Sequence, residues 1–300
     1  MCHVLCTIIY LERHQGVPLT DNRHMVVCVA TSERTWRNLD RYCFNPVFRA
    51  QRHRVALAVG FNGTDPEALR FIERLEPEHL FLRPNTGHDL ANFDNMLKRL
   101  PAYEQYLFLH DDHWFHDTAW LDTIGGLMAR QPGAGVLGNL VPFDVTGEFL
   151  EYYTLLTRAL GYDEMAETAY PYFLQGLAGL YRRHVVEQIL AMDGIPHLHR
   201  SVQVAAQVCE RLFSGLLLRR GIVLEQIPPG FELYLVHRDH SIVKMKLEQA
   251  AGFLASGNGE RAEHIFRLLR ELRPGDDILE SRIAQLKGHR RVQTSPDITP

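Results

Sequence analysis

The residues best suited to chemistry in this 300-residue chain are four consecutive side chains, His110, Asp111, Asp112 and His113, which directly follow a short apolar run. Adjacent carboxylates that a sheet edge holds in place repel each other unless a cation lies beside them. Mg²⁺ and Mn²⁺ are typically held by one or two carboxylates together with substrate phosphate oxygens. The alternative is an acidic pair before a helix over 118–130, where the helix dipole favours negative charge. The position of the pair after a predicted strand favours the metal site.

That position depends on the elements predicted around the cluster. Short apolar runs, typical of strands buried on both faces, occur at 25–30, 55–59, 80–82 and 106–109. Helical patterns alternate with them, and Asp65 and Pro66 carry the N-cap and first-turn signals of one such helix. This alternation predicts an α/β fold with a mostly parallel sheet flanked by helices. Ligands bind such sheets beyond the carboxyl ends of the strands, where the acidic pair falls.

The second half of the chain is patterned less regularly. Helices are predicted at 120–130, 148–160 and 202–216, with an extended segment at 173–181. Residues 222–227 and 231–236 flank a Pro-Pro-Gly turn and predict a terminal pair of strands. The chain is expected to become helical after Ser241.

Four segments resemble the GT-A glycosyltransferases, particularly the inverting family-2 type, over about residues 25–240. Residues 55–65 (VALAVGFNGTD) are similar to a strand and turn of that family that ends in Asn-Gly-Ser-Thr-Asp. The other three are Asn85-Thr86-Gly87 with Asn92, similar to an Asn-x-Gly…Asn segment; 106–112 (YLFLHDD), similar to the strand carrying the Asp-x-Asp motif; and 175–183 (QGLAGLYRR), similar to the acceptor-side segment. Their order and spacing carry the resemblance.

The resemblance implies a metal-dependent, inverting glycosyltransferase that moves a sugar from a nucleotide-diphosphate sugar to an acceptor hydroxyl, in polysaccharide or specialised glycoside biosynthesis. It implies that Asp112 and a late histidine, His237, hold Mn²⁺ or Mg²⁺, with His110 either a third ligand or a spacer. Asp111 is expected either at the ribose or behind the residues that contact the ligand, and Arg238 at a phosphate oxygen. Strand ends and loops are expected to complete the nucleotide-sugar side with Ala30, Thr31, Ser32, Arg34, Asn62, Asn85, Gly87 and Asn92, and the acceptor side with Gln175 and Gly176.

The general base of that family lies in a Glu-Asp pair about a dozen residues before a glycine, and Glu210 precedes Gly221 by eleven residues. A carboxylate there would take the proton of the acceptor hydroxyl while the anomeric carbon is attacked. The alternative is an exposed pair, Glu210 and Arg211, on an amphipathic helix.

Three departures from the family pattern motivate other interpretations. Gly60 replaces an aspartate that reads the base, His110 replaces the first acid of Asp-x-Asp, and Cys209 replaces the acid before the general base. A catalytically weakened GT-A-like binding or scaffold protein is therefore the first alternative. A metal-dependent phosphohydrolase is the second, prompted by the histidines at 110, 113 and 116. Those enzymes are helical, whereas this cluster follows a predicted strand.

Composition excludes several other classes. The chain is 46% hydrophobic and 23% charged, which excludes disorder, collagen and coiled coil as the main architecture. A net charge of −4 gives no basic surplus for general nucleic-acid or anionic-membrane binding. Five scattered cysteines, no apolar run of transmembrane length and no leader pattern predict a cytoplasmic protein.

The expected organisation has an arm, a GT-A-like domain, a helical extension and a flexible tail, at 1–24, 25–240, 241–287 and 288–300. Within the domain, 25–117 would form the nucleotide-sugar half and 118–240 the acceptor half. The extension resembles a tetratricopeptide-like hairpin at Gly257, Ala262, Phe266 and Pro274, with a plain helix pair as the alternative. Because one such repeat cannot bury its own face, the extension is expected to pack on the domain or to mediate self-association.

Overall fold

Seven strands form one twisted sheet in the computed structural model, which describes residues 23–84, 86–113, 115, 118–143, 145–168, 170–199, 203–227, 241–272 and 277–293. The strands are β1 (Met25–Ser32), β2 (Ala56–Asn62), β3 (His79–Arg83), β4 (Gln105–His110), β5 (Val136–Pro142), β6 (Tyr172–Arg182) and β7 (Leu224–Gln226). Their order is β3-β2-β1-β4-β6-β5-β7. Only β6 runs antiparallel to its neighbours. The predicted α/β fold with a mostly parallel sheet is confirmed.

Helices connect the strands and extend the chain beyond them. Those between the strands are α1 (Pro46–Gln51), α2 (Pro66–Glu73), α3 (His88–Leu97), α4 (Trp120–Arg130), α5 (Gly147–Ala159), α6 (Arg183–Ala191) and α7 (Gln203–Arg219). After the sheet come α8 (Ser241–Ala255), α9 (Gly259–Leu272) and α10 (Asp277–Gln293). Short turns of other helical types occur at Leu39–Cys43, Arg52–Arg54 and Asp163–Met165.

Helices cover both faces of the sheet, which explains the continuous apolar runs. In β1, Val27 and Val29 belong to the apolar cluster that contains residues of α1, α2 and α4. The alternate residues Val26 and Cys28 belong to the cluster on the other face, with residues of α3, α6 and α7. Successive side chains of a strand point to opposite faces, so a strand covered on both sides is apolar at every position.

The sequence patterns predicted neither β5 nor α6, and glycines explain why β5 was missed. Gly138 of β5 and Gly179 of β6 lie where the two strands approach closely: a Cβ on Gly138 would stand 2.2 Å from Leu174 Cδ1, and one on Gly179 would stand 2.8 Å from the Leu137 carbonyl oxygen. Glycine in a strand interior often marks such close approach, yet it weakens the sequence signal of a strand. Of the predicted terminal strand pair, β7 pairs with β5, and 231–236 lies outside the described residues.

The helical extension is confirmed as helical, with three helices. Its apolar side chains form a cluster of their own, whose most buried members include Ala250, Ala262, Phe266 and Leu269. Self-association through these helices stays a prediction. Across the described ranges, no helix has both the length and the apolar character needed to cross a bilayer.

Candidate active site

A cavity of about 310 Å³ opens at the carboxyl end of β4, between α3 and α7. Most of its lining residues have polar side chains, and they come from four separate parts of the chain: His88, Asp89, Leu90, His110, Asp112, Gln175, Gly176, Gln203, Ala206, Gln207 and Glu210. Five of the predicted site residues are therefore brought together, namely His110, Asp112, Gln175, Gly176 and Glu210. This is the edge of the sheet at which α/β folds bind ligands.

The two aspartates after β4 face different surroundings. Asp112 lines the cavity, with its side chain 18% exposed. Asp111 is buried and accepts hydrogen bonds from Thr31 Oγ1 at 2.5 Å and from Asn38 Nδ2 at 3.2 Å. Burial raises the pKa of Asp111 to about 7, even though hydrogen bonds from Thr31 and Thr35 favour the ionised form. Asp111 thus joins the end of β4 to the end of β1 and to the segment that follows it, and it does not line the cavity.

His110 is held between two acceptors. Its Nδ1 lies 2.7 Å from Asp89 Oδ2, and its Nε2 lies 2.5 Å from the Gly176 carbonyl oxygen. Both nitrogens must carry a proton to satisfy both acceptors. Burial alone would lower the pKa of His110, but the hydrogen bond and the charge of Asp89, with the charge of Asp112, raise it to about 9. Neither nitrogen then offers a lone pair to a metal, so the spacer role that the sequence left open fits this arrangement better than a third ligand.

Asp89 is a cavity residue that the sequence analysis missed. It lies in the first turn of α3, where an acid is ordinarily explained by the helix dipole. Its contact with His110 depends on how α3 packs on the end of β4, and no local sequence pattern predicts that packing.

Glu210 reaches the cavity from α7 together with Gln203 and Gln207, at the i, i+4 and i+7 positions of one helix face. Burial raises the pKa of Glu210, while the positive His110 and a hydrogen bond from the backbone N–H of Gly176 partly offset that rise. The alternative of an exposed surface pair with Arg211 does not describe this carboxylate. A carboxylate of raised pKa is a stronger base than an ordinary one, which suits it to accept a proton from a hydroxyl in the cavity.

The acceptor-side segment enters the cavity through a tight turn within β6. Gly176 has φ +59° and Leu177 has φ +57°, so two consecutive residues adopt the left-handed conformation. This conformation is strained for leucine, and Leu177 is fully buried. The side chain of Gln175 accepts a hydrogen bond from Asn139 Nδ2 at 3.2 Å. The surrounding protein therefore has to hold this turn in place.

The predicted nucleotide-sugar residues on β1, β2 and α3 lie mostly below the surface. Asn92 is fully buried, and its Nδ2 donates to the carbonyl oxygens of Thr31 at 3.2 Å and Gly60 at 3.0 Å. Asn62 is also buried and donates to the His88 carbonyl oxygen at 3.0 Å. These amides join the ends of neighbouring elements to one another and do not line the cavity.

The other predicted residues on this side have varied surroundings. Ala30 and Thr31 are buried at the end of β1, Ser32 exchanges a hydrogen bond with Thr35 at 3.0 Å, and Arg34 is exposed. Gly87 caps α3 with φ +78°. The predicted residues Asn85, His237 and Arg238 lie outside the described residues.

The described residues suit a divalent ion only when a phosphorylated ligand supplies most of its coordination. Among the described residues, no three His, Cys, Asp or Glu side chains stand together so as to hold a metal. Asp112 supplies one carboxylate at the cavity wall, and Mg²⁺ is commonly held by one or two carboxylates plus substrate phosphates. The arrangement therefore suits an ion that arrives with, and is largely coordinated by, a phosphorylated ligand.

No family model matches the chain, and neither does any curated protein. Among solved structures it is similar to a mannosyltransferase from Pyrobaculum calidifontis in complex with GDP-Man and Mn²⁺ (12% identity, 91% of this chain and 76% of that one, TM-score 0.41). It is also similar to CMP:2-keto-3-deoxy-manno-octonic acid synthetase complexed with CTP (14% identity, 68% and 88%, TM-score 0.38). A third is residues 1–349 of TarS from S. aureus (12% identity, 89% and 79%, TM-score 0.37). These likenesses are remote, so the residues of the site carry the functional argument.

Proposed function

We propose that this chain is a metal-dependent glycosyltransferase that moves a sugar from a nucleoside-diphosphate sugar to an acceptor hydroxyl with inversion. The observation that carries the proposal is the meeting of Asp112, Gly176 and Glu210 in one polar cavity. The three belong to segments that resemble the metal, acceptor and general-base regions of GT-A enzymes. The fold thus brings residues from all three segments to one cavity, as a transferase site would require, and this supports the proposal.

Glu210 acts as the general base in this proposal. Its carboxylate takes the proton of the acceptor hydroxyl, the acceptor oxygen bonds to the anomeric carbon, and the bond from that carbon to the diphosphate oxygen breaks. The electron pair of the broken bond leaves with the nucleoside diphosphate. Mn²⁺ or Mg²⁺ held by Asp112 would stabilise that negative charge as a Lewis acid. Attack on the face opposite the leaving group inverts the anomeric centre.

A catalytically weakened binding protein is the second candidate, and two observations favour it. His110 is engaged by Asp89 and Gly176 where the family pattern has an acid, and Asn92 stands beside Gly60 where that pattern has an aspartate. The phosphohydrolase interpretation is disfavoured, because His113 is fully buried and its Nδ1 accepts from the His110 backbone N–H at 2.9 Å.

Thermal unfolding with UDP, GDP, dTDP and CDP, each with and without Mn²⁺, tests the proposal. A ligand at 100 times its Kd stabilises a protein by about 2.7 kcal/mol. We expect one nucleotide to stabilise the chain only with the metal, and Asp112→Ala to lose that effect. Glu210→Gln should keep nucleotide binding yet reduce transfer by about 10²–10⁴-fold. Binding without transfer in the unaltered protein, or no stabilisation by any nucleotide, would refute the transferase and favour the weakened binding or scaffold protein.

A further inference from the structure

Three side-chain amides form a row across three neighbouring strands at the cavity. They belong to Gln175 on β6, Asn139 on β5 and Gln226 on β7, and these strands are adjacent in the sheet. Asn139 Nδ2 donates to Gln175 Oε1 at 3.2 Å, and Gln226 Nε2 donates to Asn139 Oδ1 at 3.4 Å. Of the three, only Gln175 lines the cavity, so the row links the cavity wall to β7.

Backbone groups at the β7 end give the row one direction. The N–H of Leu140, which can only donate, bonds to Gln226 Oε1 at 2.7 Å, and Gln226 Nε2 donates to the Ile227 carbonyl oxygen, which can only accept, at 3.0 Å. A Gln226 amide turned around would set two donors against each other at the first contact and two acceptors at the second. Asn139 passes this direction on, because its oxygen faces Gln226 and its nitrogen faces Gln175. The oxygen of Gln175 is thereby engaged, and its Nε2 has no partner among the described residues.

An irregularity in the pairing of β5 with β6 places Gln175 at the cavity. The register shifts at Asn139, which stands alone opposite residues 175–178 of β6. Bulges of this kind often occur beside active sites, where they redirect a side chain. This one contains the two left-handed residues already described, and it presents Gln175 and Gly176 to the cavity. The one polar atom of the Gln175 side chain that is left for a ligand is therefore a donor.

We propose that Asn139 and Gln226 are positioning residues that hold Gln175 as a hydrogen-bond donor, and that its Nε2 binds an acceptor oxygen other than the attacked hydroxyl. This inference rests on the proposed function. The acceptor then carries at least two oxygens, as a glycoside or another polyol does. A site built to bond a second oxygen discriminates against compounds that lack it, because the donor is then left unpaired.

The first test inverts the row with little change of shape. In Asn139→Asp, the atom that faces Gln175 becomes a carboxylate oxygen, while the other oxygen still accepts from Gln226. Gln175 then turns its Nε2 toward position 139 and presents Oε1 to the cavity. NMR of side-chain amides follows this directly, with the Gln175 signal assigned by its loss in Gln175→Glu. We expect at least one of its amide protons to exchange with water roughly tenfold more slowly in Asn139→Asp than in the unaltered protein.

The second test measures what that orientation does for the acceptor. The reaction is transfer from UDP-glucose, GDP-mannose or dTDP-glucose, with Mn²⁺, to the methyl glycosides of glucose, galactose and mannose. We expect Asn139→Asp to lower kcat/KM for the glycoside by about 5–100-fold, mainly through a raised glycoside KM and with the donor KM little changed. In a Gln175→Ala background, Asn139→Asp should add less than about a twofold loss, since the amide that it turns is gone.

The matched control is Asn258→Asp, the same amide-to-acid change at the start of α9. Asn258 Oδ1 accepts from the Arg261 N–H, which an acid also does, so kcat/KM for the glycoside should stay unchanged. If Asn139→Asp does not fold, Gln226→Glu at the exposed end of the row replaces it, because the new carboxylate turns Asn139 and hence Gln175.

The outcomes separate this inference from the proposed function. Unchanged proton exchange of Gln175, an unchanged kcat/KM for the glycoside, or equal losses in the two backgrounds would overturn the inference and leave the transferase proposal intact. Hydrolysis of a donor without transfer to any of the three glycosides would do the same. Failure of the unaltered protein to turn over any donor, with water or with a glycoside, would instead overturn the proposed function, and the inference with it.

Discussion

Asn92 distinguishes a residue that holds the site together from one that contacts a ligand. Both hydrogens of its amide go to strand carbonyl oxygens, those of Thr31 and Gly60, and the side chain is fully buried. Asn92→Ala leaves these two buried acceptors without that donor, at about 1–3 kcal/mol each. A carbonyl oxygen has a second lone pair that the sheet can use, so the lower part of that range applies. We therefore expect a total loss of about 2–4 kcal/mol in the free energy of unfolding.

Urea unfolding at 25 °C measures this loss, with Asn95→Ala as the matched control on the same helix. The Nδ2 of Asn95 is buried and has no hydrogen-bond partner among the described residues. Both changes gain the same helix propensity, roughly 0.5 kcal/mol, so their difference reports the two hydrogen bonds of Asn92 together with its deeper burial. Under conditions where each variant is folded, nucleotide affinity should change less than about threefold. An unchanged free energy of unfolding together with a tenfold loss of nucleotide affinity would refute the reasoning and indicate that Asn92 contacts the nucleotide.

Three further predictions concern stability and pH. Gly87→Ala should lower the free energy of unfolding in urea by about 1–3 kcal/mol, because φ is +78° and the new Cβ would lie 2.8 Å from the Cβ of Ala91. The control, Gly125→Ala in α4, has open space around its Cβ and should instead raise the free energy of unfolding. Burial raises the pKa of Glu78, but its bonds to two arginines and one backbone N–H outweigh burial and leave that pKa below its ordinary value of 4.5. Glu78→Ala should therefore cost about 1.5–3 kcal/mol at pH 7, and the difference from the unaltered protein should disappear as the pH falls from 4.5 through the lowered pKa. Burial raises the pKa of Glu210, and the carboxylate form is the base, so kcat/KM should increase as the pH rises through the raised pKa. This increase should be missing in Glu210→Gln.

The elements around the site could be predicted where one residue type carries a local signal. Asp65 caps α2 and Pro66 follows at its first position, and both roles could be inferred from sequence. The contact of Asp89 with His110 could not, because it depends on the packing of α3 against β4. Asn92 shows a different difficulty. An amide can serve a ligand or a backbone carbonyl equally well, and the sequence does not distinguish a ligand-facing amide from one turned into the protein.

Gly60, which departs from the family pattern, and Asn92, which follows it, are in contact with each other and form one arrangement. A Cβ on Gly60 would lie 3.1 Å from both Cγ and Oδ1 of Asn92, which is tighter than ordinary side-chain contact. An aspartate at position 60 would therefore require Asn92 to shift by a few tenths of an ångström, which would strain the two bonds that join the ends of β1 and β2 to α3. The absence of an acid at this position is thus accompanied by an amide that occupies the adjoining space. Position 60 therefore offers no acidic side chain to a nucleotide base, whether or not transfer occurs.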